Sequence, residues 1–214
     1  MARRMVFFLK DGKVERKKIK FEGIPGKSED VLKNNVKRLH SKLTQRALEV
    51  SRYSQDPLGI KMDRRALYIQ PNYAGGIYLE SFYQGSKIFE NGGPHRHWVF
   101  LSPIDVLDDK RLENSGQIVS YWSLFEPEYW YESEHYFDYL YIKACVRSLA
   151  KEDLEEFLKY EVFTDIEYNP NKEDVTPALA AALLKLLYIK IGYDGLQRLD
   201  KKSFISYYNS YVSI

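Results

Sequence analysis

Residues 177–192, PALAAALLKLLYIKIG, restrict the fold more than any other stretch. Thr176-Pro177 is a helix start, Gly192 is a helix stop, and almost everything between them is apolar. A helix this apolar is expected at the centre of the protein, covered by the other elements. Lys185 and Lys190 interrupt it, so the chain has no run of eighteen or more apolar residues that would read as a membrane span. The chain of 214 residues, 44% hydrophobic and 15% aromatic, is long enough to bury a sizeable core. No internal repeat, low-complexity linker or boundary cuts it, so a single domain over 1–214 is the simplest organisation.

The remaining elements follow from periodicity and turn chemistry. Asp11-Gly12 between strand-like runs at 3–10 and 13–22 predicts an N-terminal hairpin, followed by a loop to residue 27. Ser28 suits a helix N-cap, and Leu32, Val36, Leu39, Leu43, Ala47 and Val50 recur at helical spacing, predicting a helix over 29–50. Residues 51–77 look irregular. A helix is predicted at 78–90, a strand at 118–125, helices at 134–150 and from 151, and a strand in EVFTDIEYNP that ends at Pro170. A last helix covers 202–211. The class is α+β, dominated by helix.

Cys145 is the one cysteine, so neither an internal disulfide nor a cysteine metal cluster is expected. The segment MARRMVFFLKDGK is too short in apolar residues for a signal peptide, which predicts a soluble, cytoplasmic protein. Charge is unevenly spread. Residues 1–65 hold 18 Lys/Arg against 8 Asp/Glu, and residues 66–214 hold 14 against 22. A basic N-terminal third attracts polyanions. Lys37, Arg38 and Lys42, on the outer face of the first helix, are the candidate DNA contacts; the alternative is a plain solvated face.

Three places carry candidate chemistry. In YLESFYQGSKIFENGGP, residues 78–94, a continuous helix turning about 100° per residue would put Glu80, Gln84 and Lys87 on one face, with Asn91-Gly92-Gly93-Pro94 ending it. Glu80 and Lys87 would lie about 10 Å apart along the axis, too far for an ordinary surface pair and well placed to hold two ends of a bound molecule. In the helix at 134–150, Asp138 falls inside the apolar arc between Cys145 and Leu149. A carboxylate there needs a partner or a task, the alternative being a structural hydrogen bond. In FTDIEYNP, Asp165 and Glu167 at i and i+2 on one strand face raise one another's proton affinity and suit glycosidic chemistry, or else form a charged strand edge. His95 and His97 lack an obvious third ligand, so no metal site is expected. The chain has no Walker loop, dinucleotide glycine fingerprint or nucleophile elbow.

Glu80, Gln84 and Lys87, with aromatics at 82 and 83, match the Glu-His-Tyr-Phe-Gln-x-x-Lys helix, and the segment resembles that of the NADAR superfamily. Four blocks in order, FYQGSKIFENGGP, DKRLENSGQI, FDYLYIKA and FTDIEYNPNK, make residues 45–175 similar to one branch, the NADAR antitoxins paired with DarT-type guanine ADP-ribosyltransferase toxins. SEHYF at 133–137 echoes the same helix, but no Gln-x-x-Lys follows it. Tyr139 stands where a tryptophan is expected, and EDVTPALAAAL departs from a more polar run.

The resemblance implies a NADAR-like domain that removes ADP-ribose from guanine bases in DNA as an N-glycosidase, releases ADP-ribose, uses no cofactor, and has a cognate toxin as a possible partner. It implies roles for Glu80, Gln84 and Lys87 on the motif helix; with Asp138 and Glu167 from the reading of the residues, the expected catalytic set is Lys87, Glu80, Asp138 and Glu167, and the expected substrate contacts are Gln84, Tyr83, Ser51, Gly92, Gly93 and Asp165. Cleaving a base–ribose bond needs a carboxylate beside the anomeric carbon, and a lysine amine can attack it to form an imine. Two rival functions are a glycosidase acting on a riboflavin-pathway metabolite and a non-enzymatic protein that binds nucleic acid or sequesters the toxin.

Overall fold

A computed structural model describes residues 1–72, 75–109, 115–123, 129–131, 133–169 and 175–212. In chain order they form β1 (Ala2–Lys10), β2 (Lys13–Phe21), α1 (Glu29–His40), β3 (Ala47–Glu49), α2 (Pro57–Lys61), β4 (Tyr68–Gln70), β5 (Ile77–Tyr78), α3 (Leu79–Ser86) and β6 (Lys87–Phe89). After a 3₁₀ turn at Arg96–Phe100 come α4 (Pro103–Leu107), β7 (Ile118–Tyr121), α5 (Ser133–Ser148), α6 (Lys151–Phe157), β8 (Val162–Thr164), α7 (Pro177–Gln197) and α8 (Lys201–Tyr211). The fold is mixed α+β in a single domain that opens with the β1–β2 hairpin. Within the sequence blocks quoted above, residues 110–114, 170–172 and 173–174 lie outside the described residues, as do 124–125 of the expected strand and the stop at Pro170.

The hairpin turns at Asp11 and Gly12, both at positive φ (49° and 72°), which matches the right-handed twist of the strands. The main sheet has the order β2-β1-β8-β3, antiparallel except for the β8–β3 pair. Its strands alternate inward and outward as the pleat requires. Phe7 and Phe163 join the large core around α5 and α7, while Val6 and Val162 join a smaller core under α1. The sheet is thus covered on one face by α7 and on the other by α1.

The apolar stretch forms α7, as its composition requires. Thr176 accepts a hydrogen bond from the Ala178 amide (3.3 Å), Pro177 opens the first turn, and Ala178 to Leu184 are all buried. Lys185 and Lys190 find places at its margin: Lys185 donates to the Tyr160 carbonyl, and Lys190 lies 4.0 Å from the centre of the Tyr211 ring. Gly192 at φ 68° breaks the helix, and the chain resumes helix to Gln197 beyond the kink. No helix among the described residues is long and apolar enough to cross a membrane.

Three expectations are corrected. The first helix stops at His40, and Ala47–Glu49 is a strand parallel to β8. Its residues mimic helical spacing, but pairing with a strand some 115 positions away decides their conformation. Residues 51–77 are not irregular: they contain α2, β4 and β5. The strand at 162 ends at Thr164, so Asp165 and Glu167 lie in the turn that follows it and not on a strand face.

Candidate active site

The helix that carries the Glu-x-x-x-Gln pattern is shorter than its periodicity suggests. It ends at Ser86, and Lys87 begins β6, which pairs with β7 (Lys87 opposite Tyr121). Ile88 and Phe89 are better strand than helix formers. Gly93 is needed here: at φ 86° it brings the chain back so closely that a Cβ would stand 2.3 Å from the Lys87 carbonyl oxygen. Gly92 bridges to Phe89 through the Phe89 amide (2.7 Å). These two glycines shape the strand behind Lys87 and do not line the cavity.

That cavity, of about 440 Å³, collects residues from several separate parts of the chain. Glu80, Tyr83 and Gln84 enter from α3, Lys87 from β6, and Val50 and Ser51 from the end of β3. Asp63, Arg64 and Arg65 come from the connection before β4, and Asp165 and Glu167 from the turn after β8. Leu107, Ile118, Tyr121, Val175 and Pro177 complete the wall. Lys87 therefore reaches the same space as Glu80 and Gln84, but from a strand and not from a shared helix face.

All of α3 is buried, so its polar stripe must find partners inside the protein. Glu80, 1% exposed, accepts a hydrogen bond from Gln84 Nε2 (2.7 Å) at i+4 and an ion-paired hydrogen bond from Arg64 Nε. The Arg64 guanidinium lies 4.6 Å from the centre of the Phe137 ring. Lys87 Nζ stands 4.6 Å from the centre of the Tyr83 ring, and the Arg64 guanidinium lies 5.7 Å from that same centre. Burial pushes the Tyr83 hydroxyl well above its ordinary range, so it stays neutral, facing the Tyr121 hydroxyl at 3.4 Å.

A second set of charges lines the same cavity. Arg65 forks onto Asp63 with two bonds of 3.0 Å and also grips Glu167. Asp63 accepts the Arg52 and Arg65 amides as well, both at 2.7 Å, and its carboxyl is held below the usual range by Arg65 despite burial. Asp165 accepts the Glu167 amide (3.0 Å), the Tyr168 amide (3.3 Å) and the Thr176 hydroxyl (3.1 Å). Burial, and then the charges of Glu49 and Glu167, push Asp165 up to about 8.

Asp138 is placed elsewhere. It does not line the cavity; it lies on α5, 1% exposed, on the side where α8 packs. Among the described residues neither oxygen has a hydrogen bond of ordinary length, and burial raises its carboxyl well above the usual value, with the Tyr208 hydroxyl acting in the opposite direction. Lys37, Arg38 and Lys42 are exposed on or just beyond α1, Arg38 donating to the Glu22 carbonyl (3.0 Å), and none lines the cavity. His95 packs on Trp98 with ring centres 4.1 Å apart. Among the described residues no group of three His, Cys, Asp or Glu side chains is arranged to hold a metal ion.

Four charged residues that line or support the cavity escaped the sequence: Asp63, Arg64, Arg65 and Glu49. The charged triplet Asp63-Arg64-Arg65, set between Met62 and Ala66-Leu67, was the available signal, but no period marks it. Glu49 stands between Leu48 and Val50, a carboxylate inside a short apolar run.

No curated protein matches the chain. A family model described as DarT1-associated NADAR antitoxin matches residues 2–213, almost the whole length. The chain belongs to the DarT1-associated NADAR antitoxin family.

Proposed function

We propose that this antitoxin acts as a DNA ADP-ribosyl glycohydrolase, cleaving the N-glycosidic bond between ADP-ribose and a guanine base and thereby reversing the modification made by its cognate toxin. The observation that carries the reading is the convergence of Glu80, Gln84 and Lys87 on one cavity although Lys87 stands on a different element. The cavity volume is in the range of small-molecule sites, so the ADP-ribosyl end enters while the DNA stays outside.

In this reaction positive charge develops at the anomeric carbon as the base departs. Glu80, held by Arg64 and Gln84 in a single orientation, supplies a preorganised carboxylate for that charge. Lys87 either attacks the anomeric carbon as an uncharged amine or binds the diphosphate as an ammonium. Tyr83 gives the sugar or base an aromatic face, and Gln84 is a hydrogen-bonding group between the two ends.

The test is incubation with guanine-ADP-ribosylated single-stranded DNA and mass analysis of the products. Restored guanine and free ADP-ribose are expected; activity on free nucleotides with indifference to DNA would favour the riboflavin-type metabolite instead. The basic residues of α1 support one rival, protection by sequestration, which predicts that the Lys87→Ala protein still protects cells.

A further inference from the structure

The hairpin carries a row of like charges on the side of the sheet where α7 packs. Phe7 of β1 joins the large core under α7, and the register places Arg16 opposite Phe7, Lys18 opposite Met5 and Lys20 opposite Arg3. Directly opposite residues share a face of the sheet, so Arg3, Arg16, Lys18 and Lys20 all stand on the α7 side, and all are exposed. The other hairpin residues on that face are Met5, Phe7, Leu9 and Val14, so the face holds cations and no acid. Among the described residues Arg3, Arg16, Lys18 and Lys20 take part in no ion pair. Along β2 the cations recur at i, i+2 and i+4, about 7 Å apart. The row also has a direction. β1 runs antiparallel to β8, so its first residues lie where β8 ends, beside the turn of Asp165 and Glu167. Arg4 Nε donates to the carbonyl of Ile166 (2.9 Å), between those two cavity residues. The end of the row at Arg3 and Lys20 is therefore the cavity end.

We propose that this row is a docking track for the phosphodiester backbone of the DNA strand that carries the modified guanine, leading the strand along β2 to the cavity. The inference rests on the glycohydrolase reading, in which the ADP-ribosyl end enters the cavity and the DNA stays outside. Cations at regular intervals with no acid among them suit a ligand whose negative charges also recur at regular intervals, which is what a phosphodiester backbone presents. Contacts of this kind position a strand without reading its bases. The row is a different surface from Lys37, Arg38 and Lys42, because α1 covers the other face of the sheet.

β2 is an edge of the main sheet, and lysines on an edge strand also guard it against pairing with another chain. Arg3 separates the two roles. It stands on β1, an inner strand, where no edge needs a guard. Its place directly opposite Lys20 sets like charges together at a cost in stability, which a polyanion lying over the pair removes. At the other end of the hairpin Lys10 also faces Lys13, but there Glu15 stands 4.0 Å from Lys10.

The test compares two variants that lose the same charge from the same hairpin. One combines Arg16→Gln, Lys18→Gln and Lys20→Gln on the track; the other combines Lys10→Gln, Lys13→Gln and Lys17→Gln on the opposite face. Binding of an unmodified single-stranded oligonucleotide is measured by fluorescence anisotropy over a range of salt, with melting temperature and light scattering alongside. In the track variant the slope of log Kd against log salt should fall by about 2, from roughly 0.7 for each phosphate no longer neutralised. In the other variant the slope should stay. On guanine-ADP-ribosylated substrates the track variant should raise KM for an oligonucleotide several-fold, leave KM for the modified mononucleotide alone, and keep kcat. An unchanged slope, an equal fall in both variants, or a KM raised equally on oligonucleotide and mononucleotide overturns the inference. Polyglutamate binding as tightly as the oligonucleotide at equal charge would make the row a site for an acidic protein and overturn it too. Self-association of the track variant with DNA binding intact would make the row only the guard of an edge strand. A wild type that binds the oligonucleotide but cleaves no modified one overturns the glycohydrolase reading instead.

Discussion

Both the cavity and the contact between α5 and α8 bury carboxyl groups, but they surround them differently. In the cavity Glu80 meets Arg64 and Gln84, and Asp63 and Glu167 share the fork of Arg65. Under α8, Asp138 is equally buried yet has no hydrogen bond of ordinary length on either oxygen among the described residues. A paired carboxylate keeps its charge away from water; an unpaired one keeps its proton instead. Only the first kind can steady a developing cation on a sugar.

The largest expected effect is at Lys87, which is in the cavity by position but not by helix. Lys87→Ala should lose roughly 10²–10⁴ in kcat. Borohydride added during turnover should trap an imine and add the mass of a reduced ribose adduct to the peptide containing Lys87, and Lys87→Arg should be nearly inactive. Substantial Lys87→Arg activity without an adduct would leave an electrostatic clamp.

Next is the buried pair. Glu80→Ala removes the carboxylate of a buried ion pair and should cost about 3–5 kcal/mol, measured by urea unfolding, together with activity. Replacing both partners, as Glu80→Leu with Arg64→Met, should recover most of the stability and none of the rate. Recovery of both would make the pair structural and erase the contrast with Asp138.

Asp138→Asn addresses the other region. The folded protein holds the Asp138 proton at pH values where the unfolded chain has released it, so this group's contribution to stability falls as pH rises above the ordinary value of 3.8. The Asn variant lacks that decline. Its melting temperature should match the wild type near pH 4 and exceed it by a few degrees at about pH 7–8, with the rate retained. A lost rate at unchanged melting would bring Asp138 into the site after all.

The smallest effect belongs to charges that are neither paired in a cavity nor buried. Replacing Lys37, Arg38 and Lys42 by Ala should raise the KM for modified DNA several-fold at low salt and leave kcat alone. The slope of log KM against log salt should fall by about 2, from roughly 0.7 for each single-strand phosphate that a side chain no longer neutralises. An unchanged KM at moderate salt would make the α1 face a solvated surface only.

Local physics determined several elements from the sequence alone. Asp11-Gly12 demanded a turn at positive φ, Thr176-Pro177 a capped start, the run to Gly192 a buried helix, and the i, i+4 spacing put Glu80 and Gln84 on one helix face. Each depends on residues within a few positions of one another. The family pattern in the sequence also named Glu80, Gln84 and Lys87 together. Tertiary structure decided what lay beyond that range. Val50 kept its apolar spacing, but Leu48 and Glu49 became strand because β8 lies beside them. Lys87 left the helix because β7 pairs with it, and reached the cavity by another route. Arg64 and Arg65 gained meaning only when Glu80 and Glu167, 16 and 102 positions away, came within hydrogen-bonding reach. A carboxylate's charge is set by what surrounds it in space. Asp138 and Glu80 were both expected to be catalytic, and only the packing of distant segments put one in the cavity and the other under α8.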